Sequence, residues 1–332
     1  STSEKCLIVV DDNNTLLGTL TDGDIRRAIF KGKKFTKKIS SIFNQKPICL
    51  FIKDYNKKIV KELFIKNGID LIPIVDYDKQ VIDYVTWGKL GLKKDRDLST
   101  FLNIPLVIMA GGKGKRLDPF TKILPKPLIP INDKPIIDHI IEKFLEFGFH
   151  NMFIMSNYKS KILSAFFEEK EAKYNVTIIK ENIPLGTVGS LLLLKDKLET
   201  PVFVTNCDTL INTDYSDVYK FHQKNAYELT IVVCAKEHFI PYGVCTLNKN
   251  GSLHDIKEKP SYDLLINTGF YVINPSIIQL IPKNKKFHFT DLIEKSLKLK
   301  KNIGVFPVYN KDWLDIGQWS EYQKAEDFIS SQ

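Results

Sequence analysis

Arginine is almost missing from this 332-residue sequence. Of its 48 basic residues only Arg26, Arg27, Arg96 and Arg116 are arginines. Cysteine is scarce as well: Cys6, Cys49, Cys207, Cys234 and Cys245 are odd in number and contain no CxxC pair. That argues against a disulfide framework and a structural zinc site, and for free thiols in a reducing compartment, the cytoplasm. No apolar run approaches the roughly 20 residues that cross a bilayer, and the opening STSEKCLIVVDD lacks the organisation of a secretory signal, so no membrane association is expected. The formal charge of +9 comes from scattered lysines without a basic block interleaved with aromatics. This pattern disfavours nucleic acid and suits a phosphate-rich small substrate. The six histidines are dispersed, with neither metal-ligand spacing nor a nucleophile beside them.

What is present reads as two domains. Hydrophobic residues at 43% and charged residues at 26% give a globular balance, and the length allows two cores. The first hundred residues hold a repeat: Cys6 to Ile25 (CLIVVDDNNTLLGTLTDGDI) aligns without gaps on Leu71 to Leu90 (LIPIVDYDKQVIDYVTWGKL). Asp11 falls on Asp76, Thr21 on Thr86 and Gly23 on Gly88. Each copy predicts strand, polar turn, strand and a helix start. Between them, Asn56 to Asn67 has helical apolar spacing stopped by Gly68. A charged and then polar linker spans Asp95 to Asn103.

From Ile104 strands and helices alternate. IPLVIMA predicts a buried parallel strand, Pro135 to Phe147 an amphipathic helix, Met152 to Met155 a strand, Lys161 to Glu171 a helix and Val176 to Ile179 a strand. A helix over Val188 to Leu198 and a strand over Pro201 to Thr205 follow. Tyr242–Leu247 and Leu253–Lys257 flank a turn and predict a hairpin. The pattern is an α/β core with an antiparallel insertion.

The run AGGKGKRLDPFTKILPKP (110–127) supplies backbone N–H groups and close approach to an anion. It is not a P-loop, because GxxxxGK[ST] fails in both registers, and Leu117 breaks GxGxxG. Arg116 would grip phosphates through its planar fork and Lys126 would lie across them as a point charge. A solvated basic loop after a core strand is the alternative. Asp208 ends the strand PVFVTNCD and Asp315 lies in WLDIG after a predicted strand. Two carboxylates with substrate phosphates make a magnesium shell, while a cap or turn aspartate is the other reading of each.

Taken whole, Gly-Gly-x-Gly-x-Arg-Leu-x-Pro, Thr121 and Pro125-Lys126-Pro127 resemble the signature of sugar-1-phosphate nucleotidyltransferases, a resemblance that extends over 104–319. It implies a Rossmann-like, GT-A-type mixed sheet flanked by helices over 104–332 and an Mg²⁺ cofactor. Carried over residue by residue, Arg116 and Lys126 are catalytic, Asp208 and Asp315 hold the metal, and Ala110, Gly111, Gly112 and Gly186 approach the nucleotide. Tyr242-Gly243-Val244, Glu258-Lys259-Pro260 and Asn267-Thr268-Gly269 match the sugar-site motifs in order, making Gly243, Glu258, Lys259 and Asn267 the sugar-phosphate residues. Cys207 stands where the family usually has glycine.

Residues 1–98 resemble a tandem CBS (Bateman) module, whose first copy lacks the strand and helix expected before Cys6. The resemblance implies an adenine nucleotide at Thr21 and Asp24, or a scaffold that forms a homodimer. Lys89 replaces that aspartate in the second copy. The combination is similar to bacterial guanylyltransferases acting on glucosamine 1-phosphate in legionaminic acid biosynthesis. GTP and an amino-sugar 1-phosphate are favoured, with UTP, CTP and mannose or heptose 1-phosphates as alternatives. A GT-A glycosyltransferase should carry a DxD pair, but Asn206 precedes Cys207-Asp208. A purely regulatory nucleotide-binding protein would leave the two aspartates unexplained.

Overall fold

The computed structural model describes residues 6–33, 39–91, 104–171 and 173–330. The chain divides into two compact units, Ser1–Arg96 and Asp97–Gln332. No helix among the described residues is long and apolar enough to cross a membrane.

In the first unit β1 (Cys6–Val10) and β2 (Leu16–Thr21) form an antiparallel hairpin that leads into α1 (Asp22–Phe30). After β3 (Leu50–Phe51) and α2 (Lys57–Asn67), β4 (Leu71–Val75) and β5 (Val81–Thr86) form the second hairpin. Val60, Phe64, Ile72, Ile74 and Val85 make the small core.

The repeat is structural down to its turns. The Asp11 carboxylate accepts from the N–H groups of Asn13 (3.0 Å) and Thr15 (2.7 Å), and Asp76 accepts from those of Asp78 (3.0 Å) and Gln80 (2.9 Å). Such side-chain bonds replace backbone ones where the chain reverses. The hairpins join through equivalent residues: Leu16 N–H donates to the Lys79 carbonyl and Val81 N–H to the Asn14 carbonyl, both at 2.9 Å.

The copies part company after the second strand. Thr21 and Asp24 cap α1 reciprocally, whereas Thr86 accepts from Lys89 N–H (3.3 Å) and the described residues beyond it form a turn, not the expected helix start. Lys89 cannot complete a capping box, which needs an acceptor. It bonds instead to Asp83 (2.8 Å) and lies 3.6 Å from the centre of the Tyr84 ring.

The second unit is a Rossmann-like sheet with helices on both faces. In chain order it comprises β6 (Leu106–Ala110), β7 (Pro130–Ile131), β8 (Lys134–Pro135), α3 (Ile136–Leu145), β9 (Asn151–Ser156), α4 (Ser160–Glu168) and β10 (Asn175–Lys180). There follow β11 (Val202–Asn206), β12 (Thr209–Ile211), α5 (Tyr215–Lys224), β13 (Leu229–Phe239), β14 (Val244–Leu247), β15 (Leu253–Lys257) and β16 (Ser261–Ile273). The unit closes with α6 (Pro275–Ile278), α7 (Phe289–Lys298), β17 (Ile303–Tyr309), β18 (Trp313–Asp315) and α8 (Trp319–Ser330).

Seven strands lie in the order β10-β9-β6-β11-β16-β13-β17, with β16 antiparallel to both neighbours and the other pairs parallel. Both faces are covered, so β6 is buried throughout and its side chains divide by alternation. Leu106, Ile108 and Ala110 join the core of Phe144, Phe149, Phe203 and Phe270, while Val107 and Met109 join that of Leu191, Leu229 and Phe289.

The predicted helix over Val188 to Leu198 is instead a short 3₁₀ segment, Gly189–Leu194. The N–H groups of Val188 and Gly189 both point to the Phe287 carbonyl (3.2 and 3.3 Å), so a tertiary contact shapes the first turn.

On α5, His222 is buried, with Nδ1 2.9 Å from Thr230 Oγ1 and Nε2 2.9 Å from Asn274 Oδ1. Burial lowers its pKa, and the Asn274 bond opposes this only in part. A lowered folded value means stability that is present above the ordinary histidine pKa of about 6.5 and lost as pH falls through it. His222→Gln should therefore show a smaller drop in Tm between pH 7.5 and 5.5 than wild type, measured by differential scanning fluorimetry.

Candidate active site

Parallel strands β6, β9, β10 and β11 end on one side of the sheet. Their carboxyl ends deliver Gly111, Asn157, Glu181 and Cys207-Asp208 in turn. This is where ligands collect in open α/β sheets. Asp315 comes from much later in the chain, and a short antiparallel ladder brings it in. β12 pairs with β18 so that Thr209 faces Asp315, and Ile316 N–H donates to the Asp208 carbonyl at 2.8 Å.

Lys126 sits on a 3₁₀ turn, Lys126–Leu128, and is buried. Its ammonium bonds the Asp208 carboxylate. Arg116, on the 3₁₀ turn Lys115–Leu117, is exposed, and its guanidinium lies across Gly317 from Asp315 without pairing with it. A β-carbon at Gly317 would stand 2.7 Å from Asp315 Oδ1 and 3.0 Å from Arg116, so only glycine lets the two approach. Arg116 has no ion-pair partner among the described residues, which leaves its donors for a ligand. The loop is pinned from outside, with Trp319 Nε1 donating to the Asp118 carbonyl at 3.0 Å and Thr121 Oγ1 bonding Asp118 Oδ1 at 2.5 Å.

The cluster is electrostatically strained. Burial, then the charge of Asp208, holds the Asp315 carboxyl above its ordinary range, while Lys126 and Arg116 draw it back. A small cation would relieve that repulsion. No group of three or more His, Cys, Asp or Glu able to hold a metal lies among the described residues, so the donor set is two carboxylates. Two carboxylates plus water and phosphate fit magnesium, and do not fit a closed zinc site.

The nucleotide-side glycines differ from one another. Gly112 is open, with nothing within 4 Å of where a β-carbon would stand, whereas a β-carbon on Gly111 would lie 2.8 Å from Glu181 Oε1. Gly186 (φ +85°) is required by the chain itself, because a β-carbon there would lie 2.4 Å from the Phe287 carbonyl oxygen. The Phe287 backbone thus fills the β-carbon side of Gly186.

Glu181 was not singled out by motif. It is 4% exposed and its Oε2 accepts from Leu185 N–H at 3.2 Å. Its other carboxylate oxygen, beside Gly111, has no protein partner among the described residues. An acid directly after a parallel strand was the signal available.

On the far side, Asn267 and Thr268 sit at an irregularity between β13 and β16. Thr268 Oγ1 donates to the Val232 carbonyl (2.8 Å), and Thr209 Oγ1 donates to the Thr268 carbonyl (3.0 Å), tying this segment to the residue after Asp208. Asn267 is held by Gly269 N–H (3.0 Å) and the Tyr271 hydroxyl (2.9 Å). Gly243 and Glu258 are neighbours, since a β-carbon on Gly243 would lie 3.1 Å from Glu258 Oε2. Lys259 is exposed, with φ +44°.

Arg116, Lys126, Asp208 and Asp315 thus come together, with Ala110 and Gly111 at the end of β6 and Asn267 beyond. Thr21 and Asp24 lie in the first unit. There Asp24 accepts from the Thr21 N–H (2.9 Å) and hydroxyl (2.6 Å) and pairs with Arg27 (2.5 Å).

Residues 106–332 match the family model described as nucleotidyl transferase. The chain belongs to the nucleotidyl transferase family. Residues 3–31 match the CBS domain model. Among relatives, mannose-1-phosphate guanyltransferase of Yarrowia lipolytica is 34% identical over 236 residues, 68% of this chain and 62% of that protein. Probable mannose-1-phosphate guanylyltransferase 3 of Oryza sativa subsp. japonica is 34% identical over 228 residues, 65% of this chain and 62% of that protein. This nucleotidyl transferase chain therefore spans about three-fifths of the length of the curated relatives it matches. HddC from Yersinia pseudotuberculosis aligns at TM-score 0.54 and 25% identity over 68% of this chain and 98% of its own; a second HddC structure, complexed with GMP-PN, aligns at 0.52 and 26%.

Cys207 belongs to the core, and burial, followed by the Asp208 charge, pushes its thiol up to about 12. That is the opposite of an activated nucleophile. At pH 8, iodoacetamide should label exposed Cys245 and leave Cys207 unmodified in the folded protein, as read by peptide mass spectrometry.

Proposed function

We propose that the chain catalyses guanylyl transfer from GTP to a sugar 1-phosphate, giving a GDP-sugar and pyrophosphate. The observation that carries this is the meeting of Arg116 and Lys126 with Asp208 and Asp315 at the carboxyl ends of the strands. A phosphate oxygen of the sugar phosphate attacks the α-phosphorus, and the bond from that phosphorus to the β-phosphate's bridging oxygen breaks. Several negative charges converge, so the reaction needs cations and alignment rather than a covalent intermediate.

In this reading the exposed fork of Arg116 grips the triphosphate, and Lys126 exchanges its bond with Asp208 for one to the reacting phosphates. Asp208 and Asp315 would hold Mg²⁺, which supplies charge neutralisation and orientation of phosphate oxygens. Ala110, Gly111 and Gly112 line the nucleotide path. Asn267, Gly243, Glu258 and Lys259 take the sugar phosphate, with Lys259 on the phosphate and Glu258 on ring substituents.

Glu181 supports guanine. Its buried carboxylate is an acceptor only, and the Watson–Crick edge of guanine offers adjacent N–H donors at N1 and N2. Uracil presents a carbonyl on each side of its N3–H, and cytosine presents the unprotonated N3 beside its amino group, so either would meet repulsion there.

Glucosamine 1-phosphate is the favoured acceptor, since the Glu258 carboxylate suits an ammonium as well as hydroxyls, and a CBS-fused guanylyltransferase resembles the enzymes of legionaminic acid synthesis. Mannose 1-phosphate is the second reading, favoured by the names of relatives at 34% identity. The CBS-like unit would bind an adenine nucleotide at Thr21 and Asp24 or serve as a scaffold, and the enzyme would work in the cytoplasm.

Pyrophosphate release from GTP and Mg²⁺ across a panel of sugar 1-phosphates tests the reading. Asp208→Asn and Arg116→Ala should each lower kcat/KM by about 100-fold or more. Wild-type activity in either would remove the role assigned here. Glu181→Gln should lower kcat/KM for GTP by about 10- to 100-fold, with a smaller change for UTP, as expected for hydrogen bonds to a charged group.

A further inference from the structure

The loop that carries Arg116 has no strand to hold it. Between β6 and β7 the chain runs through the short 3₁₀ turns Lys115–Leu117, Phe120–Lys122 and Lys126–Leu128. Its own bonds close those turns on themselves: Leu117 N–H donates to the Gly114 carbonyl (2.8 Å) and Asp118 N–H to the Lys115 carbonyl (3.2 Å). Turns of this kind keep their shape and leave the place of the loop in the cleft to contacts from outside.

Side chains supply those contacts. The Tyr158 hydroxyl donates to the Thr121 carbonyl (3.2 Å) and the Lys159 ammonium to the Lys122 carbonyl (2.5 Å), both well beyond Arg116 in the chain. Trp319 grips nearer to it. Its Nε1 donates to the Asp118 carbonyl at 3.0 Å, and its ring packs 5.2 Å from that of Phe120. Tyr322 backs the indole at 5.4 Å and donates its own hydroxyl to the Pro130 carbonyl at 2.5 Å. An indole offers one donor on a rigid frame, so bond and packing together fix a single orientation.

Trp319 is also tied through the chain to the other wall of the cleft. It closes the run Asp315-Ile316-Gly317-Gln318-Trp319. In that run Ile316 is fully buried and its N–H donates to the Asp208 carbonyl at 2.8 Å, while Gly317 leaves the space in which Arg116 stands. One short segment therefore holds the two aspartates in register at one end and the arginine loop at the other. Arg116 has no ion-pair partner among the described residues to keep it there, so its place is the place of the loop.

We infer that Trp319 is a positioning residue, whose grip on the Asp118 carbonyl sets the Arg116 fork at the distance from Asp208 and Asp315 that a metal-bound triphosphate spans. A displacement of about 1 Å in such a group is costly, although Trp319 itself touches no reacting atom. The inference rests on the triphosphate reading of the cleft proposed above, and on nothing about base or sugar.

Isothermal titration of the whole chain with inorganic tripolyphosphate and Mg²⁺ reads this grip without base, sugar or turnover. Trp319→Phe keeps a ring against Phe120 and loses the N–H, and should weaken binding by about three- to tenfold, the range for one hydrogen bond. In an Arg116→Ala background the same change should cost about twofold at most, because a residue that acts through Arg116 has nothing left to act on. An arginine-specific protease gives a reading with no ligand, and decides the matter if Arg116→Ala binds too weakly to measure. Cleavage after Arg116 should be about threefold faster or more in Trp319→Phe, with cleavage after Arg26 and Arg27 unchanged. A wild type that does not bind tripolyphosphate, equal losses in the two backgrounds, or an unchanged rate of cleavage after Arg116 each overturns the inference. Passing these tests without pyrophosphate release from GTP and any sugar 1-phosphate would sink the proposed reaction and leave the role of Trp319 standing.

Discussion

Two aspartates held close together in a half-buried cleft are the constraint around which the second unit is arranged. Like charges at that depth raise the cost of ionisation, visible in the upward push on Asp315 from burial and from Asp208. Lys126 and Arg116 offset that cost from two sides, and each requires a particular backbone. Lys126 needs a turn that carries it beneath the loop, where Gly114 (φ +64°) leaves room for its side chain beside Thr121. Arg116 needs Gly317 to reach Asp315. A divalent cation between the carboxylates would relieve the residual strain, which is what supports the proposed metal and triphosphate.

The same cleft is anchored at a distance. Trp319 of α8 holds the Asp118 carbonyl, and the β12–β18 ladder fixes Asp315 opposite Thr209. From Thr209 a hydrogen bond continues to Thr268 and so to the Asn267 segment. On the other flank the Leu185–Gly189 segment is stitched to Phe287, and Phe289 stacks on Tyr271 at 3.8 Å, whose hydroxyl holds Asn267. The proposed base side and the proposed sugar side therefore share one connected frame, in keeping with the idea that transfer depends on alignment.

Much of this was legible beforehand because it is local. The alternation of apolar strands and amphipathic helices placed the parallel strands β6, β9, β10 and β11 and the β14–β15 hairpin within about two residues, but it did not announce the long antiparallel pair β13 and β16; the Asp11 and Asp76 turns follow from residues that bond their own backbone. The glycine loop announced itself through Arg116 in a lysine-rich chain. What failed was tertiary in origin. The segment after Val188 has helical spacing but spends its amides on Phe287. Thr86 repeats Thr21, yet Lys89 turns back to Asp83 and Tyr84, and the described turn carries no helix. Glu181 escaped notice because nothing in its immediate sequence distinguishes a buried acid from an exposed one.

By itself the sequence determined the element types, the repeat, the family-specific loop and the identity of the charged residues, since these rest on short-range periodicity and on side-chain chemistry. Only the tertiary structure decided which of those charges meet. Asp208 and Asp315 are joined by a three-residue ladder between distant segments, Glu181 becomes buried where three strands end, and the β14–β15 ribbon is left exposed. The physical reason is that burial and proximity are properties of packed surfaces, and no local pattern encodes how far a carboxylate stands from water or from another carboxylate.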